Sequence, residues 1–385
     1  MKQEPRPGDG LESPGLGRGE VVKIHWSEAG QERSAPWRTA LGAPPPARVV
    51  VADDRMKADT AYRLACEGTA LLWQGDFQNA RQLLRAMGRR CKPAAPGSGF
   101  HGYRQAQSQR ARTLGMLLIP YAAGHVVPLR RAPDVREACT EAYGADALPA
   151  VGQLRELLGV IGAHEWRKKG VYVPALGARI HPHHGVFSPI RGEYVDLVAE
   201  APLPGDRLAF DVGTGTGVLA AVLARRGVRH VVATDLDERA VACAAANIAR
   251  LGLAEQVEIV RTDMFPPGRA SLVVCNPPWL PAKPVSPLDQ AVYDPGGRMV
   301  RGFLDGLAGH LEPAGEGWLI LSDLAEHLGL RTRAALLAWF EEAGLRVVDR
   351  MDIAPRHDRP KDENDPLHAA RAAETTSLWR LTPLT

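Results

Sequence analysis

Between Phe210 and Trp279 four apolar runs each give way to polar or Gly-rich residues. In order these are Phe210-Asp211-Val212-Gly213-Thr214-Gly215-Thr216-Gly217, Ala233-Thr234-Asp235, Arg261-Thr262-Asp263-Met264 and Asn276-Pro277-Pro278-Trp279. Ligands of open α/β sheets bind outside the carboxyl ends of the strands, so four consecutive strand ends of this kind predict a parallel sheet with a ligand site along one edge. The flanking pattern agrees. Strands at Arg207–Val212, His230–Asp235, Val257–Thr262, Ser271–Asn276 and Gly317–Ser322 alternate with helices at Gly217–Arg225, Glu238–Leu251, Met299–His310 and Thr332–Ala343. Two closing strands, Leu345–Met351 and Ser377–Leu381, have no convincing helix between them and are expected to pair antiparallel, since a parallel crossover needs one.

A chain of 385 residues with 45% hydrophobic content is long enough for two domains. Residues 1–46 are Pro- and Gly-rich and read as a disordered tail with at most a short strand at Val21–Trp26. Residues 47–165 read as a mainly helical domain: a strand at Arg48–Ala52, then helices from Asp59 to about Trp73, Phe77–Arg90, Gln105–Leu118, Pro133–Tyr143 and Val151–Ile161. Residues 166–385 carry the α/β pattern, entered through a hairpin of Val171–Val173 with Ala178–His181 and a helix from Glu193. Cys66, Cys91, Cys139, Cys243 and Cys275 are odd in number and form no Cys-x-x-Cys pair, which argues against a disulfide framework or a structural zinc site. No run reaches 18 apolar residues, and the chain is expected to be cytoplasmic with no membrane contact. His181, His183 and His184 lack an accompanying carboxylate or Cys, so no metal is expected.

The charge is uneven. Residues 1–170 hold 25 Lys and Arg against 17 Asp and Glu, and Arg81–Arg131 contains ten basic residues and no acid. Arg81, Arg85 and Arg89 recur every four residues on one predicted helix and share a face. With Phe100, Tyr103 and Tyr121 interspersed, the run suits phosphate contacts and base stacking, though a solvated helix face is an even alternative.

The strand-end motifs carry the chemistry. Gly213, Thr214, Gly215 and Gly217 make a turn that brings backbone close to a ligand at a helix N-terminus; Val218 stands where a dinucleotide fingerprint needs Gly, which disfavours a nicotinamide oxidoreductase. Asp235 is placed for ribose hydroxyls, with Asp237 read as a helix cap. Asp263 is placed for an adenine amine, with Met264 beside the ring, and Asp211 for a ligand ammonium. In Asn276-Pro277-Pro278-Trp279 the amide oxygen and the Pro277 carbonyl can accept from a planar NH2 and leave its lone pair aimed at an electrophile. The prolines stiffen the loop, and Trp279 offers a flat face.

On these motifs residues 186–322 resemble the class I S-adenosylmethionine-dependent methyltransferases. Within them they are similar to N-methyltransferases with an Asn-Pro-Pro-aromatic loop, including the release-factor glutamine methyltransferases and the "small domain" ribosomal RNA guanine methyltransferases. The resemblance implies a Rossmann-like seven-stranded sheet with an antiparallel last strand. It also implies S-adenosylmethionine as cofactor, held at its methionine end by Gly213 and Gly215 and elsewhere by Asp235 and Asp263, with Asn276 and Pro277 at the accepting nitrogen. The stretch Gly185-Val186-Phe187-Ser188-Pro189 resembles the segment that covers the cofactor. Trp279 departs from the family's Tyr or Phe, and residues 1–165 match no known substrate module. The expected partner is a macromolecule, RNA ahead of protein; the alternatives are glutamine methylation of a translation protein and a non-catalytic sensor of S-adenosylmethionine.

Overall fold

The computed structural model describes residues 22–384 except 41, 96, 146–147, 191, 284–291, 357–361 and 364. Its N-terminal unit is a six-stranded mixed sheet with helices on one face. Strands β1 (Lys23–Glu28), β2 (Gln31–Arg38), β3 (Arg48–Ala52), β4 (Thr69–Trp73), β5 (Leu117–Tyr121) and β6 (Ala150–Gln153) take the order β1-β2-β6-β5-β4-β3. Helices α1 (Ala58–Cys66), α2 (Phe77–Arg90), α3 (Gly99–Gly115), α4 (Arg136–Tyr143) and α5 (Leu154–Lys169) bury Trp73, Phe77, Met87, Leu117 and Leu157 between themselves and the sheet. The other face encloses Ile24, Trp37, Ala70, Leu72, Leu118 and Val151, because the β1–β2 hairpin curls back until Gln74 Nε2 donates to Glu28 Oε1 at 2.7 Å.

Helices make up most of residues 47–165, as expected, but β4, β5 and β6 stand where the sequence predicted helix, and the hairpin at 23–38 corrects part of the tail expected at 1–46. All five residues of β4 are buried, so the strand shows no alternation and its leucines extend the apparent stripe of the preceding helix. That helix ends at Cys66, and Gly68 at φ +80° turns the chain into β4. β5 and β6 merge with the stripes of neighbouring helices for the same reason. The hairpin at 23–38 forms because Ala29 and Gly30 both adopt positive φ, +50° and +76°, the geometry of a two-residue turn that matches strand twist. Met1–Val21, the rest of the expected tail, lies outside the described residues. α5 runs through the expected boundary at 165 as far as Lys169.

The hairpin β7 (Val171–Val173)–β8 (Ala178–Ile180) leads into α6 (Glu193–Glu200) and the C-terminal unit. Its elements are β9 (Leu208–Val212), α7 (Val218–Arg225), β10 (His230–Asp235), α8 (Glu238–Arg250), β11 (Val257–Arg261), β12 (Ala270–Cys275), α9 (Arg298–His310), β13 (Leu311–Ser322), α10 (Leu324–His327), α11 (Arg333–Glu342), β14 (Leu345–Ile353), α12 (His368–Ala372) and β15 (Thr376–Pro383). The sheet order is β11-β10-β9-β12-β13-β15-β14, with β15 antiparallel to both neighbours as the closing pair predicted. From β9 the chain first winds outward through β10 and β11, then returns to the other side at β12. Such a reversal opens a crevice at the carboxyl ends of β9 and β12. Helices α6–α8 cover one face, around Val218, Leu223, Ile248 and Trp318, and α9 and α11 cover the other, around Phe210, Phe303 and Phe340. Among the described residues no helix is long and apolar enough to cross a membrane.

Candidate active site

A cavity of about 1000 Å³ runs along these strand ends. Gly213, Thr214 and Gly215, Asp235, Asp263 and Met264, Asn276 through Trp279, and Phe187 all line it, so most of the residues singled out in the sequence meet in one place. Two of the strand-end residues do not line it. Gly217, at φ +80°, would carry a Cβ 3.3 Å from the Cα of Ala244; its task is to let α7 pack closely on α8.

Asp211 is the second exception and a correction. It is 1% exposed, and its Oδ2 accepts from Thr214 Oγ1 at 2.6 Å and from the Ala220 N–H at 3.0 Å. The carboxylate braces the glycine turn from beneath instead of facing a ligand ammonium. Burial pushes its pKa up to about 6, against the pull of those two hydrogen bonds. Gly213 sits at φ +72°, so the turn needs glycine there for its dihedral, while a Cβ would meet only the movable end of the Met299 side chain.

Asp235 binds two backbone groups, the Gly215 N–H through Oδ2 and the Asp237 N–H through Oδ1, each at 3.0 Å. Burial raises its pKa, while the backbone donors of Asp237 and Gly215 oppose the shift. A carboxylate has about four lone-pair sites, so each oxygen keeps acceptor capacity toward the cavity. Asp237 caps α8 by accepting from the Arg239 N–H, as read from the sequence. Asp263 is exposed on the cavity wall. Met264 follows at φ +64°, its carbonyl taking a 2.6 Å hydrogen bond from Thr234 Oγ1.

At the far end of the cavity Trp279 Nε1 donates to Asn276 Oδ1 at 2.9 Å. The indole is half-buried and packs against both sheet-face cores, so it fixes the amide in one rotamer with its other oxygen lone pair unspent. The chain then runs out through Leu280 and returns through Val292 and Tyr293, pinned by Leu280 N to Val292 O (3.1 Å) and Asp294 N to Leu280 O (2.8 Å). Asp294 accepts from the N–H groups of Met299 and Val300 and so anchors the return to α9.

Three features escaped the sequence reading. Asn247 is 1% exposed on α8; its Nδ2 donates to Thr216 O at 3.0 Å and its Oδ1 accepts from His181 N at 2.8 Å, tying the glycine turn to the chain that carries Phe187. A lone Asn in the otherwise apolar stripe Ala240-Cys243-Ala244-Ile248 was the available signal. Asp294 is the second. The third is that Phe100 and Tyr103 of α3, in the N-terminal unit, line this same cavity.

Arg81, Arg85 and Arg89 lie on α2, and none lines the cavity. The basic run draws counter-charges from outside itself: Arg90 pairs with Asp59 (2.7 Å), and Arg130 and Arg131 with Asp76 (3.0 and 2.6 Å). His181 Nδ1 contacts the Arg167 carbonyl at 2.7 Å, and among the described residues no three His, Cys, Asp or Glu side chains converge as a metal site requires.

Residues 198–298 match the family described as Ribosomal protein L11 methyltransferase (PrmA). The chain is 34% identical over 183 residues to a release factor glutamine methyltransferase of Cereibacter sphaeroides, covering 44% of this chain and 63% of that protein. It is 39% identical over 143 residues to a ribosomal protein L11 methyltransferase of Pelotomaculum thermopropionicum, covering 37% and 39%. A tRNA1(Val) (adenine(37)-N6)-methyltransferase of Bacteroides thetaiotaomicron is 35% identical over 88 residues, covering 22% and 37%. The chain thus spans less than two thirds of the length of these curated relatives. Its C-terminal unit is a class I S-adenosylmethionine-dependent methyltransferase domain, with S-adenosylmethionine as its cofactor. Within that class it is similar to the release factor glutamine methyltransferases and to the L11 and tRNA methyltransferases.

Proposed function

We propose that this protein is an N-methyltransferase that moves the methyl group of S-adenosylmethionine to the planar NH2 nitrogen of a macromolecule. The observation that carries the reading is the Asn276 carboxamide, locked by Trp279 and sharing one cavity with the nucleotide-type strand ends. The residues present fit the cofactor. Gly213 and Gly215 open backbone toward the cavity, Asp235 keeps acceptor capacity for ribose hydroxyls, Asp263 and Met264 suit adenine, and Phe187 covers it.

The bound cofactor supplies an electrophilic methyl. Asn276 Oδ1, with one lone pair held by Trp279, takes one N–H of the acceptor on the other, and the Pro277 carbonyl takes the second. With both hydrogens held by acceptors, the nitrogen lone pair is drawn out of conjugation and faces the reaction partner. The stiff Pro277-Pro278 segment keeps both acceptors in register.

We favour a protein carboxamide as the acceptor. The L11 and release factor enzymes are named for protein substrates, and the basic run that pointed to RNA is partly neutralised by Asp59 and Asp76. RNA remains the second reading on one observation, the exposed Arg85 and Arg89 on α2. The test is labelled methyl transfer into an extract from cells lacking the gene, followed by protease or nuclease digestion. Asn276→Ala should cut transfer by roughly 100-fold or more while S-adenosylhomocysteine affinity stays near wild type. Wild-type turnover in this variant would remove nitrogen from that loop, and no transfer by the wild type on any extract would leave a cofactor-sensing module.

A further inference from the structure

α3 belongs by sequence and by its C-terminal packing to the N-terminal unit, yet its first turns sit in the cavity of the other unit. Phe100 is 5% exposed in a cluster with Leu280, Leu324 and Leu367, against which Tyr103, Val292 and Tyr293 pack. The Arg104 guanidinium lies over the Tyr293 ring, its carbon 4.1 Å from the centroid, and donates to the Lys283 carbonyl at 2.7 Å. One helix therefore grips both the outgoing and the returning leg of the segment after Asn276-Pro277-Pro278-Trp279. An Arg held by both a ring face and a carbonyl gives a contact of fixed geometry.

Tyr103 differs from its neighbours on that wall. Phe100 and Arg104 are used in holding the two units together, whereas the half-buried Tyr103 lines the cavity and its hydroxyl makes no hydrogen bond among the described residues. Of the cations lining the cavity, Arg371 pairs with Asp365 at 2.9 Å and Arg239 with Asp237 at 3.0 Å, while Arg298 is exposed at the start of α9. Around Tyr103 the wall is apolar and aromatic, formed with Phe100, Leu280, Val292 and Tyr293, and Tyr103 adds its hydroxyl to it. That chemistry suits a neutral acceptor, with a flat ring for an aliphatic stem or planar amide and a hydroxyl for its carbonyl oxygen.

We propose that Tyr103 is a specificity-determining residue for the methyl acceptor, and that the acceptor pocket is built across the two units, with α3 as its outer wall. The proposal rests on the N-methylation reading above and gives the N-terminal unit a place in the site itself. Its acceptor is a carboxamide side chain of a protein, whose stem lies against Tyr103 while its NH2 reaches Asn276.

The test uses the full chain, labelled S-adenosylmethionine and the gene-deleted extract, titrated to find the half-saturating amount of acceptor. Tyr103→Leu keeps apolar volume but removes the ring and hydroxyl; Tyr103→Phe keeps the ring. Tyr103→Leu should raise the half-saturating amount about tenfold or more, Tyr103→Phe by less, with S-adenosylhomocysteine affinity by calorimetry and the thermal midpoint unchanged in both. Wild-type acceptor dependence in Tyr103→Leu, alongside lost transfer in Asn276→Ala, overturns this inference and leaves the N-methylation reading standing. Label released wholly by nuclease overturns the carboxamide acceptor. A wild-type protein that transfers nothing overturns both readings together.

Discussion

Replacing Asp235 with Ala removes one carboxylate that performs two separable tasks. Toward the protein it accepts from the Gly215 and Asp237 N–H groups, each at 3.0 Å; toward the cavity it is proposed to accept from the cofactor's ribose hydroxyls. A hydrogen bond to a charged acceptor contributes about 1.5–3 kcal/mol when buried, and water entering the vacated space recovers part of it, so the net loss in cofactor affinity should be about 1–3 kcal/mol. That corresponds to a roughly 5- to 150-fold rise in the dissociation constant for S-adenosylhomocysteine. The cofactor-free protein should also melt earlier, because two backbone donors lose their acceptor. Asp237→Ala is the control. Its carboxylate is bound by Arg239 (Nη2 to Oδ2, 3.0 Å) and caps α8, so this variant should lose about 1 kcal/mol of stability and little affinity. Isothermal calorimetry with a parallel thermal melt separates the two effects. Unchanged affinity in Asp235→Ala refutes the ribose assignment. An equal affinity loss in Asp237→Ala would trace the effect to the summed negative field instead of to directed hydrogen bonds.

Trp279→Phe keeps the flat ring but removes the indole donor to Asn276 Oδ1, which frees the amide to rotate; turnover should fall about tenfold with cofactor affinity unchanged, measured by the same transfer assay and calorimetry. Asp211 has its folded pKa raised to about 6 from about 4 in the unfolded chain, so the folded state binds the extra proton and is favoured by it as pH falls from about 6 to about 4. The stability advantage of wild type over Asp211→Asn should therefore grow across that window in denaturant titrations, and a pH-independent difference would contradict the shift. Changing Arg81, Arg85 and Arg89 together to Gln should leave transfer and its salt dependence unaltered if the acceptor is a protein carboxamide; a log–log salt slope smaller by up to about three units would instead place a phosphate backbone on α2.

The C-terminal sheet and the strand-end residues that line its cavity were legible in the sequence because the strand ends are local. A buried parallel strand is a short apolar run, and the residues just beyond it must turn, so Gly213 to Gly217, Asp235, Asp263 and Asn276 declare their common edge through spacing alone. The N-terminal sheet was not legible. Strands buried on both faces, as in β4, lack the two-residue period, and Leu71 and Leu72 continue the helical stripe of α1 until a glycine at positive φ breaks it. Asp211 shows a different limit, since position at a strand end does not tell which way a carboxylate turns; the Thr214 hydroxyl and the Ala220 N–H draw it beneath the glycine turn.

The sequence by itself determined the parallel sheet, its antiparallel closing strand and the strand ends that meet along one edge, because those groups need only strand and turn geometry to converge. Tertiary structure alone decided the rest: that Trp279 holds Asn276, that the acid-free basic run receives counter-charges from Asp59 and Asp76, and that α3 of one unit walls the cavity of the other. These are contacts between residues far apart in the chain or set by a single rotamer, and no local period or composition encodes which side chain such a contact selects.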